Sequence, residues 1–221
     1  MTRRALIAWS GGKDSAWTLH VLRRRSDIEI AGIFTTIHED TARIAVHGVR
    51  TTLLAAQAHA AGVPLSTIAI PCPCPNSIYE GAISEFTEKM KRQGVTHVAF
   101  GDLFLEDIRR YRERQFAGSG LELLFPLWDF QTRFLAEEMT AQGLRAWIAC
   151  VDTARAPREW AGREFDSEFV KHVPEGIDAC GENGEFHTFV TAGPMLRAPV
   201  NCQPGEITQS GAFAYADLVA V

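Results

Sequence analysis

The sequence predicts an α/β fold, with a parallel sheet and its crossover helices over residues 1–128 and a smaller α+β unit over residues 129–221. Three observations carry this. Short apolar runs alternate with helical patterns through the first half, as strands joined by crossover helices do. A glycine turn, Ser10-Gly11-Gly12-Lys13-Asp14-Ser15, lies between the first apolar run and the first helical pattern. After Pro126-Leu127-Trp128 the alternation weakens, and Gly and Pro become frequent.

Taken in order, Leu6 to Trp9 reads as the first strand, and Ala16 to Arg25, with Trp17, Leu19, Val21 and Leu22, as the first helix. Ile28 to Ile37 is a second strand centred on Ala31-Gly32-Ile33-Phe34. Thr51 to Ala61 is rich in alanine and leucine, closes at Gly62 and precedes Pro64, so it is a helix with a glycine stop. Leu65 to Ile70 is a third strand. Asn76 is placed to cap a helix carrying Ile78, Ala82, Ile83, Phe86 and Met90, which Gly94 ends. Val95 to Phe100 is a fourth strand running into Gly101-Asp102. A charged helix over Glu106 to Phe116 follows, then a short strand over Leu121 to Leu124. Beyond the boundary, Thr132 to Gln142 reads as a helix and Leu144 to Val151 as a strand. The rest reads as loops, short helices and short strands.

Composition narrows the class. With 221 residues the chain can bury a substantial core, and 46% hydrophobic with 22% charged residues is ordinary for a soluble globular protein. A net charge of -5 argues against a nucleic-acid coat, and no apolar run reaches the length of a membrane span. The N-terminus lacks the apolar segment of a signal peptide, so a cytoplasmic protein is expected. Five scattered cysteines do not form a disulfide framework, and the one close pair, Cys72-Pro73-Cys74, has no matching second pair to make a metal site. Nothing in the pattern decides between a monomer and a homo-oligomer.

The glycine turn has the geometry of an anion site. Two adjacent glycines allow a sharp turn that aims backbone N–H groups at a phosphate, and the helix N-terminus adds partial positive charge. Ser10 and Ser15 add hydroxyl donors and Lys13 a full charge. The string is not a Walker A loop, since Ile7 and Asp14 stand where that pattern needs a glycine and a Ser/Thr. As a whole it resembles the pyrophosphate loop of the ATP pyrophosphatase superfamily.

A second constellation lies far along the chain, in Gly181-Glu182-Asn183-Gly184-Glu185-Phe186-His187-Thr188 followed by Gly193-Pro194. Two carboxylates bracketed by glycines can hold a metal, accept hydrogen bonds from a cationic substrate or orient an amine. Taken alone, the string also reads as a solvated Asn-Gly turn between two strands. In combination with the first turn, with Pro126-Leu127-Trp128 and with Gly162-Arg163, Asp166 and Phe169, it resembles the diphthine:ammonia ligase family, with the motifs in family order from about Ala5 to Pro194.

That resemblance implies a Rossmann-like, adenine nucleotide alpha hydrolase-like domain followed by a smaller domain for the acceptor substrate. It implies ATP bound by Ser10, Gly11, Gly12, Lys13, Asp14, Ser15 and Gly101, with Mg2+ near Asp14. It also implies an acceptor bound by His47, Arg163, Gly181, Glu182, Glu185 and Thr188. The expected reaction is adenylation of a small-molecule or protein-borne carboxylate, then displacement of AMP by ammonia or an amine, with Lys13, Asp14, Glu182 and Glu185 catalytic. Asn183 and His187 replace a glycine and a glutamate usual in the family motif, and Leu103 to Arg112 does not reproduce the family's tyrosine-glutamine string. Diphthine carries a quaternary ammonium, which favours carboxylates and aromatic faces, so His187 bears on the choice of acceptor more than on ATP chemistry. Two other classes fit the same loop. One is a sulfur-transfer enzyme acting on tRNA through Cys72 and Cys74; the other is a non-catalytic nucleotide sensor. In the arginine-rich helix, Arg112 or Arg114 either points into the cleft and meets phosphate or belongs to a solvated salt-bridged face.

Overall fold

The computed structural model describes residues 2–41, 43, 44 and 48–221, so His47 lies outside the described residues. The first half contains β1 (Arg3–Ala8), α1 (Lys13–Arg23), β2 (Ile28–His38), α2 (Thr51–Ala61), β3 (Leu65–Ile70), α3 (Asn76–Arg92), β4 (His97–Ala99), α4 (Glu106–Phe116) and β5 (Glu122–Leu124). The five strands form one parallel sheet in the order β3-β2-β1-β4-β5, the Rossmann-like arrangement. The chain leaves β1 for β2 on one side and later returns to β4 on the other. This switch point opens a crevice beyond the carboxyl ends of β1 and β4.

Side-chain alternation assigns the two faces of this sheet to two cores. Ala5 and Ile7 of β1 and Ile33 of β2 join a core with Leu19 and Leu22 of α1 and Leu53 and Leu54 of α2. Leu6 and Phe34 point the other way, to Ile83 and Met90 of α3 and Phe116 of α4. The α2 stop is as expected: Gly62 is left-handed at φ 64°, and the Gly62 and Val63 amides donate to His59 and Ala58. Asn76 is not a cap. Pro75 holds that position, and Asn76 bonds Glu80 within the helix and Tyr111 on α4.

The second half contains α5 (Thr132–Ala141), β6 (Arg145–Asp152), β7 (Glu164–Phe165), the one-turn-plus helix α6 (Ser167–Lys171), β8 (Phe186–Ala192), β9 (Cys202–Ser210) and β10 (Phe213–Ala220). Its sheet is antiparallel: β8 pairs one side of β6, β7 and β10 pair the other, and β9 lies outside β10. Strands of seven to nine residues replace the short ones expected after Val151. Ile148, Phe189 and Val190 of this sheet pack into the same core as α1 and α2. The two halves therefore share one hydrophobic core, and the second sheet is held against the helix that follows the glycine turn.

Candidate active site

The glycine turn is built by contacts from the second half. Gly11 is left-handed at φ 80°, which favours glycine, and the space is tight as well, since a Cβ there would lie 3.2 Å from Phe189 Cδ2 and 3.3 Å from Gln57 Oε1. Its carbonyl accepts from Val190 N at 2.9 Å and from Gln57 Nε2 at 3.0 Å. Gln57 is fully buried in α2, donates also to Val190 O and accepts from Trp9 Nε1 at 2.7 Å. Gly12 precedes α1 with no side chain to cap it; Thr188 Oγ1 instead accepts from Lys13 N at 3.0 Å. Thr188, expected to contact the acceptor, is buried and holds the loop. Ser10 Oγ accepts from Gly12 N, Ser15 Oγ donates to Gly12 O, and the two hydroxyls stand 3.3 Å apart.

A cavity of about 530 Å³ opens at the switch point. Its wall carries an apolar set that includes Phe34, Ile70, Tyr79, Ile83, Phe100 and Phe116, and a polar set that includes Ser10, Asp14, Ser15, Asp102, Arg112, Glu182 and His187, with Gly101 beside them. A Cβ on Gly101 would sit 2.9 Å from the carbonyl carbon and oxygen of Asp14, so the end of β4 crosses directly over the first turn of α1. Gly101→Ala must therefore push backbone against backbone. We expect it to lower stability by about 1–3 kcal/mol and to weaken ATP binding, as read by urea melts and calorimetric titration; unchanged values in both would mean that this crossing is loose.

Lys13 does not line this cavity. Its side chain is buried at 2% exposure; Nζ donates to Asp14 Oδ2 at 2.8 Å and to the Cys180 carbonyl, and it lies 5.8 and 5.6 Å from the ring centres of Phe165 and Phe186. Burial pulls its pKa down, but the Asp14 carboxylate and the other anionic neighbours outweigh that and hold the ammonium charged. The expected phosphate lysine instead joins the loop to the second half. Helix α1 begins at Lys13, not Ala16, which turns this side chain inward in the first turn.

The segment carrying Glu182 is fixed from within. Asp178 Oδ1 accepts from Cys180 N and Glu182 N, and Thr132 Oγ1 donates to its other oxygen. Glu182 reaches across to accept from Leu103 N at 2.7 Å. Burial pushes its pKa up to about 7, against the Leu103 amide, with Asp14 adding to the rise. Asp14 and Asp102 are also raised, first by burial; Lys13 opposes this at Asp14 and Arg112 at Asp102. His187 is lowered to about 4 by burial and by the Lys13 charge, so its ring is neutral at pH 7.

The remaining expected site residues lie apart from the cavity wall. Glu185 is 4% exposed and accepts from Asp178 N and Asn183 Nδ2, bracing the loop. Gly181 is left-handed at φ 69°, and a Cβ there would meet Phe186 O at 2.7 Å, a turn requirement. Arg163 is exposed, with its guanidinium 5.2 Å from the Phe169 ring centre; Asp166 caps α6 and Glu164 pairs with Arg145. Asn183-Gly184 turn the chain ahead of β8 and do not join two strands. Cys72 and Cys74 are absent from the lining, Cys72 exposed and Cys74 half-buried. Asp102, not singled out from the sequence, belongs to the site. Its position just past a parallel strand's carboxyl end was the available signal.

Among the described residues no three His, Cys, Asp or Glu side chains are grouped to hold a metal by themselves. Asp14 Oδ1 and Asp102 Oδ2 are nevertheless buried at the cavity without hydrogen-bond partners among the described residues. Two hard oxygen donors completed by substrate phosphates suit Mg2+, which is seldom caged by protein alone.

A Rossmann-like sheet with this serine-glycine loop at its switch point defines a PP-loop ATP-utilising enzyme. The diphthamide synthase N-terminal domain model matches residues 3–123 and the C-terminal domain model residues 131–218. The chain belongs to the diphthamide synthase family. No curated protein matches it. Among the described residues, no helix is long and apolar enough to cross a membrane.

Proposed function

We propose that the protein is an ATP-dependent ligase that adenylates a substrate carboxylate and then forms an amide with ammonia or an amine. The observation that carries this reading is the sharing of one cavity by the glycine loop of the first half and Glu182 of the second. The aromatic and aliphatic lining suits an adenine base, and Ser10, Asp14 and Ser15 at the start of α1 suit the pyrophosphate portion through the serine hydroxyls and the helix N-terminus. Attack of a carboxylate oxygen on the α phosphorus breaks its bond to the bridging oxygen and releases pyrophosphate. The amine nitrogen then attacks the acyl carbon, and AMP leaves with the electron pair of the acyl–oxygen bond. Glu182, with one oxygen held by the Leu103 amide, is the base that takes the proton from the attacking nitrogen. Mg2+, held by Asp14 and Asp102, would supply charge neutralisation for the phosphates. Family membership supports a carboxylate acceptor, and the carboxylates around Glu182 support an amine donor.

Phosphorus NMR of the products tests the bond cleaved. AMP and pyrophosphate are expected, formed in the presence of an acceptor carboxylate; ADP and phosphate as the main products would rule out adenylation even with ATP bound.

A further inference from the structure

We propose that Arg112 receives the phosphate chain of the nucleotide, in the role that the loop motif suggests for Lys13. The inference rests on reading the cavity as the ATP site and asks which cation there can meet a polyanion.

Asp14, Asp102 and Glu182 all line the cavity, and a triphosphate placed beside three carboxylates needs an opposing charge. Most nearby cations are already engaged. Lys13 is buried beside Phe165 and Phe186 and bonded to Asp14 and the Cys180 carbonyl. Arg43 and Arg50 converge on Asp217, and Arg155 bonds the Asn183 carbonyl and pairs with Asp152. On α4 itself, Arg109 bonds Glu113 and lies over Phe125 and Trp128, while Arg110 turns back to the Glu106 carbonyl.

Arg112 differs from all of these. It lines the cavity, with its guanidinium 4.6 Å from the ring centre of Phe100, which holds the plane without using its N–H groups. Its Nε stands 3.5 Å from Asp102 Oδ2, close enough for charge attraction but too long for a good hydrogen bond. Both atoms are buried, and neither has a hydrogen-bond partner among the described residues. Buried polar atoms are ordinarily paired, so the open Nε donor at the cavity wall marks a place for a phosphate oxygen, and the open Asp102 oxygen beside it is an acceptor that suits the cation accompanying a phosphate. A planar guanidinium fork matches two phosphate oxygens.

Calorimetric titration of the full chain with adenosine, AMP, ATP and inorganic pyrophosphate tests this, using wild type, Arg112→Gln and Arg112→Lys. Arg112→Gln is expected to bind adenosine as wild type does and ATP about tenfold or more weakly, with pyrophosphate weakened alike. Arg112→Lys keeps the charge without the fork and should fall between; it also serves if the glutamine variant fails to fold. An ATP-to-adenosine affinity ratio equal to wild type in either folded variant would overturn the inference alone. So would unchanged ATP affinity with only the KM of the acceptor carboxylate raised, which would assign Arg112 to the acceptor. Failure of wild type to bind adenosine or ATP would overturn the nucleotide reading and this inference with it.

Discussion

Lys13→Met should lower the stability of the folded protein by about 3–5 kcal/mol, the cost of removing one partner of a buried ion pair. The methionine fills much of the lysine's volume but leaves Asp14 Oδ2 and the Cys180 carbonyl without the ammonium that both now contact. Asp14 keeps some solvent access, which places the effect toward the lower end of that range. Lys13→Arg should rescue little, because a guanidinium is bulkier than the ammonium and the site beside Phe165 and Phe186 is almost fully buried. Denaturant melts read the loss, and adenosine binding by the protein that remains folded should persist. A stability change under about 1 kcal/mol together with a lost preference for ATP over adenosine would instead place the ammonium on phosphate.

The way Lys13 turns explains what the sequence could and could not disclose. Strand–turn–helix order around Ser10 to Ser15 was legible because apolar period, glycine pair and helical pattern are local signals, and α2, β3 and α4 begin and end at the expected residues. Strands β8 and β10 were harder to read. Each pairs with β6, and for β10 the partner lies more than sixty residues earlier in the chain, so the contacts that make them strands are not local. β9, with Pro204, Gly205 and mostly exposed positions, is an edge strand that lacks an alternating pattern. The site divided in the same way. The motifs are legible as strings, but the direction of their side chains is not, because direction depends on which side the second sheet docks. Thr188 became a loop cap and Lys13 a link between halves for that reason. Gln57 sits in an alanine-rich helix where its type suggests only a polar face. Its three hydrogen bonds, to Trp9, Gly11 and Val190, exist only once three distant segments meet.

The two glutamates of the second motif should part company under the same conservative change. Glu182 lines the cavity, and Leu103 N holds one of its oxygens; Glu185 is buried behind it and braces Asp178 and Asn183. Glu182→Gln keeps an oxygen for Leu103 and removes the base. It should preserve ATP affinity while lowering acceptor-dependent AMP formation by roughly 10²–10⁴-fold, the usual worth of a positioned proton acceptor. Because the ionised form is the base, wild-type activity should rise as pH passes through about 7, and that limb should vanish in the variant. Stability should move the opposite way. Burial raises the folded value of Glu182 above the ordinary glutamate value of 4.5, so its contribution is complete below about 4.5 and declines as pH climbs through about 7. Glu182→Gln removes this decline, so the variant should lose less stability than wild type over that interval. Glu185→Gln should instead lower stability by about 1–3 kcal/mol, since its new NH2 group is placed where Oε2 has no described hydrogen-bond partner, and turnover per folded molecule should hold. Adenosine and ATP titrations, pH–rate profiles and denaturant melts on the two variants separate these outcomes. Should both variants lose ATP affinity in proportion to lost activity, the glutamates would belong to a metal–nucleotide site, and the assignment of phosphate to the first half and proton transfer to the second would be wrong.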